Sequence, residues 1–69
     1  MNLMEYREKN FLTYEGLARL LDVSSPTAYH WCTGKALPAL RNMKRIIKIT
    51  NGEVTKEDLI AFYNSKKST

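Results

Sequence analysis

A chain of 69 residues carries 11 Lys and Arg against 7 Asp and Glu, a formal net charge of +4, with 43% hydrophobic residues, one Cys and one His. A domain of that size buries only about 60% of its unfolded-chain surface, so its core is marginal alone and dimerisation or ligand binding would add to its stability. The lone Cys32 excludes an internal disulfide, one Cys with one His leaves no ordinary zinc site, and no apolar run approaches the roughly 20 residues of a membrane span.

These limits predict a single domain over 1–69, cytoplasmic, with no membrane segment, metal, cofactor or small-molecule ligand. Four charges between Asn2 and Asn10 stand where a signal peptide would be apolar. The charge is also unevenly placed. Between Val23 and Gly52 there is no acid, while Lys35, Arg41, Lys44, Arg45 and Lys48 contribute five positive charges; the remaining six basic and seven acidic residues net −1. A near-neutral body with one basic face is the electrostatic footprint of a nucleic-acid binder, although a basic solvated helix face would read the same way.

In chain order, Asn2 to Lys9 predicts a first helix capped by Asn2, with Leu3 and Tyr6 inward and Glu5, Arg7, Glu8 and Lys9 outward. Asn10, tolerant of positive φ, closes it, and Phe11 and Leu12 plug the junction with the core. Thr13 caps a second helix whose apolar stripe is Leu17, Leu20 and Leu21, with Ala18 as a small residue among them. Gly16, costing roughly 1 kcal/mol against Ala in a helix, implies either a close neighbour or a weaker helix. Asp22-Val23 reverses the chain through a left-handed residue, Ser24 caps the next helix, and Pro26 sits in its first turn. That third helix, Ser25 to Thr33, turns Ala28 and Trp31 inward and ends at Gly34.

From Ala39 to Thr50, Leu40, Met43, Ile46, Ile47 and Thr50 keep helical spacing and leave Arg41, Asn42, Lys44, Arg45 and Lys48 mostly outward, as one basic amphipathic helix. A rival reading starts from the β-prone Ile46 to Thr50 and the Asn51-Gly52 pair before Glu53-Val54-Thr55, a hairpin signal. Thr55 with Asp58 forms a capping arrangement for a last helix bearing Leu59, Ile60, Phe62 and Tyr63, ending near Asn64, with 65–69 a flexible tail. Those four apolar residues either close the chain's own core or meet a second copy. The predicted fold is therefore all-α, five short helices around a central helix-turn-helix, with an α+β fold carrying a C-terminal hairpin at Asn51-Gly52 as the alternative.

The stretch Tyr14 to Gly34 resembles the helix-turn-helix of the phage Cro and repressor-type DNA-binding family, and Gly34-Lys35, Leu37-Pro38, Gly52-Glu53-Val54-Thr55 and Asp58-Leu59 resemble the continuation in its small bacterial members. Ala18 matches the small residue where the two helices cross. Asp22 stands where the family usually has glycine. Ala28 and Trp31 occupy its two inward positions on the second helix, Ala28 being smaller than the usual branched residue. The resemblance implies a transcriptional regulator that binds operator DNA as a homodimer.

In helix-turn-helix proteins the second helix enters the major groove with its N-terminal residues facing base edges. Here that exposes Ser25, Pro26, Tyr29 and His30: Ser25 and His30 for hydrogen bonds to bases, Pro26 and Tyr29 for apolar contact with a thymine methyl. Tyr29 also reads as a surface aromatic packed on its own helix, and His30 as a solvated residue. Backbone contacts fall to the N–H groups near Thr13 and Tyr14, to Thr27 at the helix edge, and to Lys35, Arg41 and Asn42. Lys44, Arg45 and Lys48 reach DNA or add field. His30 and Cys32, two apart on a helix, point to different faces and make no catalytic pair, so the chain is not read as an enzyme. The nearest alternatives are a DNA-bending recombination directionality factor and a protein-interaction or antitoxin module on the same fold.

Overall fold

The computed structural model describes residues 1–67, with side chains through Lys66. Five helices follow in order, α1 (Leu3–Lys9), α2 (Tyr14–Leu21), α3 (Ser25–Thr33), α4 (Leu40–Ile49) and α5 (Lys56–Lys67), with no strand among the described residues. The fold is all-α. α2 packs on α3, α1 covers α3, and α4 lies between α2 and α5.

Four of the five helices, α4 excepted, start where side-chain oxygens can receive the orphan N–H groups of a first turn. Asn2 Oδ1 accepts from the Glu5 N–H and Glu5 Oε1 accepts from the Asn2 N–H, each at 2.8 Å. Thr13 Oγ1 accepts from Gly16 N–H at 2.9 Å, and Ser24 caps α3 with its Oγ 3.4 Å from Thr27 N. Thr55 and Asp58 exchange reciprocal bonds of 3.1 Å before α5. Gly16 is explained by the same cap: an added Cβ would stand 3.3 Å from Thr13 Oγ1 and 3.7 Å from Leu12 Cδ2. Each such cap contributes on the order of 1 kcal/mol.

Four helix ends share one device. A residue in the left-handed region lets the next N–H reach back five residues, closing the last turn. Phe11 (φ 55°) sets Leu12 N–H on Arg7 O at 3.0 Å, and Asp22 (φ 59°) sets Val23 N–H on Ala18 O at 2.9 Å. Gly34 (φ 78°) sets Lys35 N–H on His30 O at 3.0 Å, and Asn51 (φ 57°) sets Gly52 N–H on Ile47 O at 2.9 Å.

The last of these decides against the hairpin. Asn51 and Gly52 both take the positive φ that a hairpin turn requires, but they spend it on stopping α4. Thr50, buried, donates its hydroxyl to Ile46 O at 2.8 Å and accepts the Val54 N–H at 3.2 Å. Val54 is then fully buried in the helical core and has no partner strand to join.

Several local expectations are corrected. The left-handed residue closing α1 is Phe11, while Asn10 (φ −98°) donates its side-chain amide to Tyr6 O at 2.9 Å. Phe11 plugs nothing, being 95% exposed; Leu12 alone packs on the core. Arg7 turns inward, its Nη1 donating to Leu12 O at 2.8 Å. Leu20 and Leu40 are exposed, at 44% and 53%. Both flank their stripes, since the buried faces are centred on Leu17, Ala18 and Leu21 in α2 and on Met43, Ile46 and Thr50 in α4.

α5 runs past Asn64 to Lys67, so 65–67 are helix rather than tail, and 68–69 lie outside the described residues. Its last turns lie over the end of α3, where a Cβ on Gly34 would fall 2.5 Å from Lys66 Cγ and 3.4 Å from Phe62 Cε2. Gly34 thus serves both the left-handed stop and the close approach of α5. Of the four apolar residues of α5, Leu59 is buried and Ile60 packs on the core, while Phe62 and Tyr63 are half-buried.

Two outcomes follow for stability. Phe11→Gly removes a left-handed strain of roughly 1–2 kcal/mol per non-glycine residue and adds unfolded-chain freedom of about 0.4–1 kcal/mol, so it should stabilise by up to about 1 kcal/mol. A fall in thermal midpoint would show that the phenyl ring makes a contact of its own. The Asp58 carboxyl is held below its usual range by the Met1 amino group at 2.9 Å and by the Thr55 N–H. A depressed carboxylate stabilises above its unfolded pKa and loses that contribution as pH falls through the folded value. Asp58→Asn should therefore flatten the loss of stability below about pH 4, read by denaturant titration across acid pH.

Candidate nucleic-acid interface

The direction in which α3 presents its residues follows from its inner face. Ala28 is fully buried and Trp31 is 7% exposed, so the helix is seated on both. With a 3.6-residue repeat, Pro26, Tyr29 and His30 then come out exposed and Ser25 half-buried. Thr27 is half-buried, its Oγ1 2.8 Å from Ser24 Oγ, so its hydroxyl is engaged in the cap. Thr33 turns its hydroxyl back to Tyr29 O at 2.9 Å.

Tyr29 does not pack on its own helix alone. Its ring meets Tyr14 edge-to-face at 5.1 Å between centroids and His30 at 6.0 Å, and Lys35 Nζ stands 5.5 Å over its centre. Tyr14 in turn lies under the Arg7 guanidinium at 4.4 Å. The fold thereby gathers Tyr14, Tyr29, His30 and Lys35 into one cluster, with Ser25 and Pro26 at the other end of α3 and Thr13 at the start of α2. Arg41, exposed, and Asn42, half-buried, open α4, which packs on α2 and α5. Arg7 escaped the sequence reading, which set it outward. The available signal was its i, i+4 spacing from Leu3, the buried residue of α1.

No acid stands on α3 or α4, so the field over this surface is positive. α4 starts at an exposed Ala39 with no side-chain cap, which leaves its first N–H groups to water or an anion. Glu15 opposes an anion at the start of α2, and it is paired with Arg19 at 3.0 Å in the open. Arg45 is partly committed elsewhere, donating to Leu21 O at 3.3 Å and lying 3.9 Å from Asp22. A cation over the carboxyl end of α2 complements its dipole. Arg41, Lys44 and Lys48 are exposed on the same helix.

Cys32 is buried in the core, where burial pushes its thiol up to about 11 against a smaller opposing pull from Arg7. His30 lies on the exposed side. Among the described residues no group of three His, Cys, Asp or Glu could hold a metal ion, and no helix is long and apolar enough to cross a membrane.

Residues 3–56 match the helix-turn-helix family, a span that takes in α1 to α4 and the first residue of α5. The chain belongs to that family, the one of Cro- and repressor-type proteins. No curated protein and no solved structure matches it. The family is a DNA-binding regulatory one and not typically enzymatic, and at that general level this chain is a DNA-binding transcriptional regulator.

A buried, un-ionised thiol is a poor nucleophile. Labelling of Cys32 by a thiol reagent at neutral pH should therefore follow global unfolding and accelerate with denaturant in step with it. Rapid labelling of the native protein would place the thiol at the surface.

Proposed function

We propose that the protein is a Cro-like repressor of phage or prophage type that binds an inverted-repeat operator as a homodimer, laying α3 (Ser25–Thr33) in the major groove. One observation carries this reading: an exposed, acid-free face of α3 followed in the chain by the five basic residues between Lys35 and Lys48. Ser25 and His30 offer hydrogen bonds to base edges, while Pro26 and Tyr29 offer apolar surface to a thymine methyl. The backbone N–H groups at Thr13 and Tyr14 and the residue Thr27 near the start of α3, with Lys35, Arg41 and Asn42, hold the flanking phosphates. The span 1–69 acts as a single DNA-binding unit. With extents of 29 × 22 × 21 Å, two copies fit side by side on half-sites about 34 Å apart without overlapping.

Selection of bound sequences from a random DNA pool, with stoichiometry measured on the winner, tests the reading. A palindrome bound by two chains supports it. A single unrepeated, bent site would favour a recombination directionality factor, and no enrichment would favour a protein-interaction or antitoxin module. On the selected site, His30→Ala should cost about 1–3 kcal/mol of specific binding and leave non-specific binding almost unchanged. Lys35→Ala and Arg41→Ala should each weaken both kinds of binding and reduce the salt slope by about one unit. An unaltered slope would remove that residue from the phosphate contacts.

A further inference from the structure

Tyr14 opens α2, where its backbone N–H suits a phosphate, but its side chain is placed for something else. The ring stands edge-on to Tyr29 with 76° between planes. Its other contacts come from α1: the Arg7 guanidinium covers it at 4.4 Å, and its hydroxyl lies 3.7 Å from Met4 Sδ. Arg7 is itself fixed, donating through Nη1 to Leu12 O at 2.8 Å and through Nη2 to Met4 Sδ at 3.4 Å. Its Nε is buried without a partner, a cost accepted in a pose that lays the flat guanidinium on the ring. Beyond Tyr29 the chain of contacts continues to His30, at 6.0 Å and 61°, and to Lys35 Nζ.

An aromatic side chain on the outer face of a short helix is free to change rotamer unless something stops it. For Tyr29, 39% exposed, what stops it is the Tyr14 ring at 5.1 Å and the Lys35 ammonium 5.5 Å over its centre. Edge-to-face contact and a cation over the ring are both directional, so they select one orientation where plain burial would permit several.

We propose that Tyr14 is a positioning residue for base reading: clamped by Arg7 from α1, its ring holds Tyr29, and with it His30, in the orientation that meets the major groove. This rests on α3 being the reading helix.

The test is a double-mutant cycle of Tyr14→Ala and Tyr29→Ala, measured on the selected operator and on random DNA. Tyr14→Ala removes the ring and keeps the backbone N–H, so it should weaken operator binding about tenfold, weaken random-DNA binding far less, and add no further loss in the Tyr29→Ala background. Tyr14→Phe, which keeps the ring, should restore operator binding. If Tyr14→Ala does not fold, Tyr14→Leu carries the cycle, because it keeps apolar bulk without an aromatic edge. In the free protein, removing the Tyr14 ring should also shift the ring proton resonances of Tyr29 and His30. Additive losses in the cycle overturn the proposal. So does a Tyr14→Phe variant weakened equally on both DNAs, which would make the hydroxyl a phosphate contact. A wild-type chain with no preferred sequence overturns the proposed function itself and this inference with it, and it is recognised before any variant is made.

Discussion

The angle between α2 and α3 is the constraint on which the rest of the molecule depends, and it is set by one left-handed residue. Asp22, at φ 59°, closes α2 by sending the Val23 N–H back to Ala18 O, and two residues later Ser24 is already capping α3. A reversal this short leaves the two helices no freedom to separate. Ala18 on α2 and Ala28 and Trp31 on α3 are all buried in the core that joins the two helices. Arg45 reaches across from α4 to the Leu21 carbonyl, supporting the same corner from outside. Whatever α3 presents to a partner, it presents in an orientation fixed by this corner.

The same economy governs the other helix ends. Helices of seven to twelve residues are too short to persist on propensity alone, so each must be started and stopped by local chemistry and held by burial. Asn, Thr and Ser supply the starts of every helix but α4, which begins at Ala39 without a side-chain cap. The stops use a left-handed residue four times, once in a glycine, once each in Asp and Asn, and once in Phe11, where the conformation is costly and the side chain buries nothing. Gly34 shows why glycine is retained where a second demand exists. There the backbone must turn left-handed and also admit the side chains of Phe62 and Lys66, which brace the end of α3.

The interface divides its labour between two kinds of chemistry. The outer face of α3 carries no Arg, Gln or Asn, so it lacks the bidentate donors that discriminate bases most strongly. What it has is a held aromatic cluster. Arg7, Tyr14, Tyr29, His30 and Lys35 form a continuous run of cation and ring contacts from α1 to the loop after α3. The exposed Arg41, Lys44 and Lys48 lie on a different helix, α4, and add positive charge. On the proposed reading, a surface of modest chemistry gains selectivity from rigidity, because a contact already in place loses little entropy on binding.

Much of this was legible in the residues themselves. Helix starts at Asn2, Thr13, Ser24 and Thr55, the turn at Asp22, the stop at Gly34 and the inward Ala28 and Trp31 are local matters, decided by hydrogen-bond chemistry and backbone preference within a few positions. The exposure of Pro26, Tyr29 and His30 follows from them by helical geometry. What needed the tertiary structure was every choice between two locally acceptable states. Asn51-Gly52 suits a hairpin or a helix stop equally, and burial of Val54 with the Thr50 hydroxyl selects the stop. Leu20, Leu40 and Phe11 are apolar enough for a core, but a chain of 69 residues has room in its interior for only part of its apolar surface, and position on the flank decided against them. Arg7, read as outward, and Tyr14, read for its backbone N–H, were settled by docking: a charge and a ring find each other across helices only once α1 and α2 are packed.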